Sequence, residues 1–396
     1  MDLRCDVCGG PAFSTRHAFD VHVKSSSHQR VLEGMDERAR LRAETGEKEA
    51  RAERFRSSFF PKLDSAFASY AEQSQETLGG IYAPLQQSVS TCKDLGESVE
   101  LLYAQTRPRA HVVARRKALY KLLFRAVKTV LPEASVEVYG SIPHKIDDEG
   151  SDVDMSIRLP PGSELAEAAV LDRVGKAVEL YDRVEGQLSV TRILHARIPV
   201  ISVRDSLTDT SLDLSMWNID KLHISEIFQL YFEMDKRIRP LVYAVRKFSK
   251  VHAINDSFGG FVNSFGWTVA ICCFMMNRGL VPSLDVDQDP EKNKDFKAAD
   301  SEHPLSCGAL LVGFLEWFLE WNYQTTRLTM RVPGGVAPKE AEKFEDYTYV
   351  CMERPRTPYQ NITRQVEKKQ WRMIRNLIAS ALAKLKAGAM VWDILK

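Results

Sequence analysis

The chain has 396 residues, 44% of them hydrophobic, which is enough for two or three domains with buried cores. A formal net charge of +1 provides no global basic field, so any nucleic-acid surface must be a local patch. No apolar run reaches the length of about 18 residues typical of a transmembrane helix, and the N-terminus has neither a signal-peptide core nor an obvious presequence. The seven cysteines favour a reducing compartment over a disulfide framework.

The N-terminal segment has the ligand spacing of a zinc finger. Cys5 and Cys8 are followed by His22 and His28, with phenylalanines between the two pairs. Zinc takes four such ligands in a tetrahedron, and a few aromatic side chains suffice as the core of a small finger. His17 competes as a ligand, although it lies close to Cys8 for a finger. The pattern predicts one structural Zn²⁺; the alternative is a terminus that is rich in Cys and His by chance.

Residues 85–131 are predicted to be helical, with a basic segment from Arg107 to Arg125. A strand follows and ends at Gly140 and Ser141, where backbone N–H groups and a hydroxyl suit a phosphate. The next strand carries Asp152 and Asp154. Residues i and i+2 of a strand point to the same face, so these carboxylates project together and favour Mg²⁺ or Mn²⁺.

A helix is predicted over 164–181, and three β-like runs follow, at 189–194, 198–203 and 211–216. In the last run Asp213 lies between two leucines, so it points away from both of them. A third carboxylate on a neighbouring strand suits two-metal phosphoryl transfer.

The downstream half is predicted to be mostly helical. Arg246 and Lys250 lie four residues apart, on one helix face. They would supply positive charge from a second domain across a cleft, and Phe265 could stack on a base. Buried-looking helices are predicted over 267–276 and 310–321, and a final basic helix over 364–387, after a polar loop at 345–361. There is no Walker A or Rossmann glycine pattern, which argues against P-loop and dinucleotide enzymes.

Taken in order, Gly140-Ser141, Asp152-x-Asp154 and Asp213 resemble the DNA-polymerase-β-like nucleotidyltransferases. The segments 239–255 and 263–266 resemble non-canonical poly(A) polymerases and terminal uridylyltransferases, and the resemblance covers roughly residues 110–385. Only 58 residues separate Asp154 from Asp213, which leaves no room for the domain inserted there in the editing uridylyltransferases of trypanosomes. The compact core is most like the trypanosomal mitochondrial uridylyltransferases associated with editosome-like complexes.

The resemblance implies that Asp152, Asp154 and Asp213 are the catalytic metal ligands. Its implied nucleotide-contacting residues are Gly140, Ser141, Ser151, Asn218, Ser225, Arg246, Lys250, Ser264, Phe265, Glu353 and Arg354.

The chain departs from the family at the positions that read the base. Ile224 stands where the family often has an Asn, and Arg354 replaces the Asp of a Glu-Asp-Pro motif. No histidine follows His303, so base choice must rest on other groups, with Glu353, Arg354 and Arg356 as candidates. The choice between U and A is therefore less constrained than the transferase chemistry.

The expected architecture is α+β, with a zinc finger at 1–34 and a helical accessory region at 35–108. A nucleotidyltransferase lobe with a mixed sheet and flanking helices is expected at 109–225, and a helical base-recognition lobe at 226–396, in which 285–345 could bridge the lobes.

The expected activity is template-independent transfer of UMP from UTP to an RNA 3′-hydroxyl, with two Mg²⁺ (or Mn²⁺) ions and release of pyrophosphate. The alternatives are a non-canonical poly(A) polymerase and a non-catalytic RNA-binding zinc-finger scaffold. The expected partners are an RNA 3′ end, UTP and an RNA-editing-type protein assembly, with no membrane and a monomeric isolated chain. The resemblance implies the mitochondrial matrix; the alternative is the cytoplasm.

Overall fold

The computed structural model describes residues 15–25, 28–29, 92–160, 163, 165–182, 186–196, 198–217, 219–288, 290–293 and 305–396. The chain divides into two compact units, Met1–Ala83 and Pro84–Lys396. None of the helices in these ranges combines the length and apolar composition needed to cross a bilayer.

In the described part of the first unit, helix α1 spans Arg16–Val23. Thr15 begins it, because the Thr15 hydroxyl accepts a hydrogen bond from the backbone N–H of Ala18. His22 is in the last turn, and its ring centroid lies 5.0 Å from that of His28. Cys5, Cys8 and the charged region at 35–78 lie outside the described residues.

A five-stranded mixed sheet, ordered β1-β2-β5-β4-β3, organises the first lobe of the second unit. Its strands are β1 (Ser135–Tyr139), β2 (Val153–Arg158), β3 (Leu188–Ile193), β4 (Val200–Asp205) and β5 (Thr210–Met216). Strands β2 and β5 are parallel, and the other neighbours are antiparallel. The predicted mixed sheet is confirmed, and the three predicted runs match β3, β4 and β5 with small shifts at their ends.

Helices α3 (Ala110–Val130) and α4 (Glu167–Asp182) pack on this sheet. The buried side chains of Leu119, Leu123 and Val127 recur at helical spacing and form the sheet-facing side of α3. The helical region predicted at 85–131 is in fact interrupted around Pro108, because proline disfavours helical conformation in the residue before it. The earlier helix, α2 (Leu95–Gln105), packs instead on the second lobe.

The second lobe is helical and has its own core. Its helices are α5 (Ile219–Met234), α6 (Ile238–Val251), α7 (Ser264–Asn277), α8 (Cys307–Glu320) and α9 (Lys368–Lys386), with a small hairpin of β6 (Thr326–Leu328) and β7 (Val336–Pro338). An aromatic cluster lies in this core: the ring centroid of Phe318 is 5.3 Å from that of Trp267 and 5.3 Å from that of Trp371. The predicted buried helices are confirmed as α7 and α8, and the final basic helix as α9.

The loop between β1 and β2 is held by a buried arginine of α3. Arg116 has a side chain only 6% exposed, and its Nη1 lies 2.8 Å from Asp147 Oδ2. Its Nη2 donates to the carbonyl oxygens of Asp148 (2.5 Å), Glu149 (3.2 Å) and Ser151 (2.8 Å). One side chain thus fixes the residues that lead into Asp152.

The same loop is held from the helical lobe. Arg239 Nε donates to the carbonyl of His144 at 3.1 Å, and Arg246 Nη1 donates to that of Ile146 at 3.2 Å. Lys250 Nζ lies 2.9 Å from Asp148 Oδ2. The loop therefore joins the two lobes at the edge of the cleft between them.

We expect Arg116→Met to lower the free energy of unfolding by about 3 kcal/mol, because it removes one partner of a buried ion pair and the donor to three carbonyls. Arg109→Met is the matched control: Arg109 pairs with Glu149, but both side chains are more than 40% exposed, so its loss should cost about 0–1 kcal/mol. Urea unfolding measures both. Equal losses for the two variants would contradict this view of the loop.

Candidate active site

The three predicted acids come together through the register of two strands. In the parallel pair of β2 and β5, Asp154 lies directly opposite Asp213. Leu212 and Leu214 are fully buried, so Asp213 points to the other face of the sheet, as predicted. Asp152 lies just before β2, two residues from Asp154, and both line the same cleft.

The electrostatics of this group call for a cation. Burial raises the pKa of Asp154 to about 7, with further increases from the negative charges of Asp213 and Asp152. Burial and Asp213 also raise the pKa of Asp152. A set of carboxylate oxygens fits Mg²⁺ or Mn²⁺, which prefer hard oxygen ligands. In the described ranges no three His, Cys, Asp or Glu side chains are grouped closely enough to hold a metal ion.

A glycine brings the phosphate-type loop close to these acids. Gly140 has φ of +81°, and a Cβ placed there would lie 2.3 Å from Asp154 Oδ2. Any side chain would therefore displace the carboxylate, and the left-handed backbone is strained for other residues. Ser141 follows directly and lines the cleft.

The opposite wall comes from α6 and from the first turn of α7. Arg246 and Lys250 of α6 both line the cleft. The Asn263 side chain begins α7 by accepting a hydrogen bond from the Gly266 N–H at 2.9 Å, which places Ser264 and Phe265 at a helix N-terminus. Such a terminus attracts anions because its N–H groups and dipole point outward.

Phe265, the predicted stacking residue, is already in contact with two side chains. Its ring lies edge-on to that of Phe228, with centroids 5.8 Å apart. The guanidinium carbon of Arg354 lies 5.4 Å from the Phe265 centroid. The base position that Phe265 would define is therefore bordered by a cation.

Most of the predicted contact residues line a single cleft of about 570 Å³. These are Gly140, Ser141, Ser151, Asp152, Asp154, Ser225, Arg246, Lys250, Ser264, Phe265 and Arg354. Asn218 lies outside the described residues.

The three candidates for base recognition, Glu353, Arg354 and Arg356, lie in different environments. Of these three, only Arg354 is among the described residues that line the cleft. Glu353 is buried, with Oε2 3.3 Å from Arg327 Nε and Oε1 accepting from the Tyr359 N–H at 2.8 Å. Arg356 Nε lies 3.1 Å from Asp220 Oδ1, so its guanidinium ties the loop to α5. In this geometry Glu353 and Arg356 support the loop that presents Arg354.

The structure also brings in residues that the sequence patterns did not indicate. Lys221 Nζ lies 3.3 Å from Tyr139 Oη and 3.2 Å from Ser215 Oγ, and both Lys221 and Tyr139 line the cleft. Tyr139 could have been found from strand register, because it faces Asp154 in the β1–β2 pair. No local pattern distinguishes Lys221 from a solvated lysine.

His144 is a second residue that sequence reasoning missed. Its Nε2 lies 2.8 Å from Ser225 Oγ, and burial lowers the pKa of His144 to about 4. The imidazole is therefore neutral near pH 7 and links the loop to the predicted nucleotide-contacting serine.

We expect Asp154→Asn to raise the melting temperature at about pH 8 in a chelator, by at least about 2 °C. The folded-state pKa of Asp154 is raised to about 7, so the folded protein binds an extra proton between about pH 4 and pH 7, and the free energy of unfolding falls as pH rises through that window. The difference between variant and parent should shrink towards pH 4.

Asp148→Asn is the control for this experiment. Burial alone would raise the pKa of Asp148, but the charge and hydrogen bond of Lys250 lower it below its usual value. This substitution should therefore destabilise the protein at about pH 8. A destabilised Asp154→Asn variant at that pH would contradict the account of the acid group.

Known proteins share the fold described above, with its mixed sheet and helical second lobe. Residues 95–233 match the family model described as the central palm domain of mitochondrial-like poly(A) RNA polymerases. The poly(A) RNA polymerase GLD2-B of Xenopus laevis is 22% identical over 341 residues, covering 80% of this chain and 65% of the relative. The mitochondrial poly(A) RNA polymerase of Drosophila melanogaster is 24% identical over 282 residues, covering 60% of this chain and 46% of the relative. The chain thus spans less than two thirds of the length of these two relatives.

Solved structures share the fold at low identity. The Cid1 poly(U) polymerase with MgGTP bound superposes with a TM-score of 0.67 at 18% identity, covering 77% of this chain and 99% of that chain. A cytoplasmic RNA terminal U-transferase superposes with a TM-score of 0.64 at 20% identity, and the match covers 76% of this chain and 98% of that chain. The complex of mtPAP with UTP superposes with a TM-score of 0.66 at 19% identity, and the match covers 79% of this chain and 72% of that chain. The palm-domain match covers residues 95–233, and the solved structures share the fold of this chain.

Proposed function

We propose that the chain is a template-independent RNA 3′-terminal uridylyltransferase, which transfers UMP from UTP to an RNA 3′-hydroxyl and releases pyrophosphate. The observation that carries the proposal is the facing pair of Asp154 and Asp213, with Asp152 beside them. Nucleotidyl transfer needs oxygen ligands for divalent cations, a loop that can bind phosphate and positive charge near the triphosphate. The carboxylates, the Gly140-Ser141 loop and the two cationic side chains across the cleft suit these needs.

Asp152, Asp154 and Asp213 would together hold two divalent cations. When bound, these cations lower the pKa of the RNA hydroxyl and neutralise charge on the departing pyrophosphate. The 3′-oxygen bonds to the α-phosphorus as the bond from that phosphorus to the β-phosphate oxygen breaks.

The triphosphate would fit between the Gly140-Ser141 loop beside the acids and the opposite wall of α6 and α7. Ser141 and Ser264 offer hydroxyls and backbone N–H groups, and Arg246 and Lys250 offer positive charge. Lys250 is 2.9 Å from Asp148 Oδ2, so it would exchange part of that pairing for phosphate.

Base choice would rest on the cationic side of the cleft. Arg354 and Lys221 can only donate hydrogen bonds, and both line the cleft, with Arg354 against the Phe265 ring. Uracil presents two carbonyl acceptors, whereas adenine presents an exocyclic amino donor, so this pair favours UTP. ATP remains the second candidate, because Ile224 is an apolar cleft residue and the relatives named above include poly(A) RNA polymerases.

The N-terminal unit is proposed to hold one structural Zn²⁺ through Cys5, Cys8, His22 and His28. The adjacent rings of His22 and His28 supply two of the four ligands. We further propose a monomeric isolated chain that acts on RNA within an editing-type protein assembly. The mitochondrial matrix and the cytoplasm both fit the relatives named above.

Incubation with Mg²⁺, a single-stranded RNA and each NTP in turn should extend the RNA, with UTP used best. Asp213→Asn should reduce incorporation by at least about 10³-fold, while RNA binding stays near that of the parent and the melting temperature does not fall. A preference for ATP would establish the adenylyltransferase. No extension with any NTP, or an Asp213→Asn variant with full activity, would overturn the enzymatic assignment and favour the RNA-binding scaffold.

Arg354→Ala should lower the ratio of kcat/KM for UTP to that for ATP by about tenfold, which corresponds to about 1.4 kcal/mol. Arg364→Ala is the control, since Arg364 lies near the same loop, pairs with Asp346 at 3.6 Å and is half exposed. Steady-state kinetics with both nucleotides measures the ratio. If Arg354→Ala leaves the ratio unchanged, the base is read elsewhere.

A further inference from the structure

Helix α3 carries a row of basic side chains that the proposed reaction does not use. Its sequence from Ala110 to Val130 contains six Arg or Lys residues and no acid. Arg116 is buried in the loop contact described above, whereas Lys117, Lys121 and Arg125 are exposed. They lie four residues apart, so they form one row along the helix with a rise of about 6 Å per step. We call these three residues the α3 ridge.

The ridge is not neutralised within the described part of the chain. No acid there forms an ion pair with Lys117, Lys121 or Arg125. Like charges four residues apart destabilise a helix, and an ordinary solvated face mixes both signs. The contrast with α9 is informative, because that helix also lacks acids but Lys386 lies 2.7 Å from Glu316. A polyanionic partner would supply the charges that the ridge lacks.

Aromatic side chains flank the ridge. Tyr120 and Phe124 are half-buried beside it, with ring centroids 6.0 Å apart. Lys128 Nζ lies 5.8 Å from the Phe124 centroid. Cationic side chains next to partly accessible rings are typical of surfaces that bind single-stranded nucleic acid, where phosphates meet the charges and bases meet the rings.

The ridge also begins beside the active site. Lys117 directly follows Arg116, which donates to the carbonyl of Ser151, the residue before Asp152. We propose that the α3 ridge binds the phosphate backbone of single-stranded RNA upstream of the 3′ end that enters the cleft. This inference rests on the proposed function, in which RNA is the substrate. It adds a second RNA-binding site, outside the cleft that holds the terminal nucleotides.

The test measures RNA binding without catalysis, in a chelator and without NTP. Unstructured RNAs of about 6 and about 20 nucleotides are titrated into the full chain over a range of salt concentrations. For Lys117→Gln/Lys121→Gln/Arg125→Gln we expect the affinity for the longer RNA to fall at least tenfold at low salt. The slope of log affinity against log salt should shrink by about 2, since each phosphate contact on a single strand contributes about 0.7. Affinity for the shorter RNA should stay within error, and the melting temperature should not fall, since the substitutions relieve repulsion between like charges.

The control is Lys93→Gln/Lys236→Gln/Lys292→Gln, which removes the same charge from three exposed and scattered positions. It should change neither the salt slope nor the dependence on RNA length. Equal losses in the two triple variants, or an unchanged slope in the ridge variant, would overturn the ridge proposal. Extension of a short RNA by UTP is measured in parallel: its absence in the parent would reject the proposed function separately.

Discussion

The structure depends on one electrostatic constraint, the placement of Asp154 opposite Asp213 in neighbouring parallel strands. Neighbouring strands lie about 4.8 Å apart, so two carboxylates on the same face repel each other unless one is protonated or a cation joins them. Burial raises the pKa of Asp154, and the negative charges of Asp213 and Asp152 raise it further. Gly140 is tied to the same constraint, because only a residue without a side chain can approach the Asp154 carboxylate so closely.

The loop from Ser141 to Ser151 connects the strands near these acids to both lobes of the second unit. Arg116 holds it from the sheet-packing helix, and Arg239 and Arg246 hold it from the helical lobe. The acids and the cationic side chains of Arg246 and Lys250 are therefore positioned through one short segment. Because an arginine can donate to several carbonyls in a fixed geometry, a few side chains suffice to align two lobes.

Sequence patterns predicted the parts of the site that depend on local periodicity. The i, i+2 spacing placed Asp152 and Asp154 on one face, and the leucines beside Asp213 indicated its direction. Local periodicity does not reveal the role of Arg116, since in sequence it resembles the other basic residues of α3. Only its tertiary contact with Asp147 distinguishes it. Glu353 shows the converse: a carboxylate suggested for base contact is buried against Arg327, which no local spacing indicates.

We propose that Asp152, Asp154 and Asp213 together hold two divalent cations for nucleotidyl transfer. Electron paramagnetic resonance of bound Mn²⁺ counts those cations directly, in the full chain with a non-hydrolysable UTP analogue and a short RNA. We expect two Mn²⁺ ions per chain in the parent and at most one in Asp213→Asn. Two ions in both proteins, or none in the parent, would contradict the account.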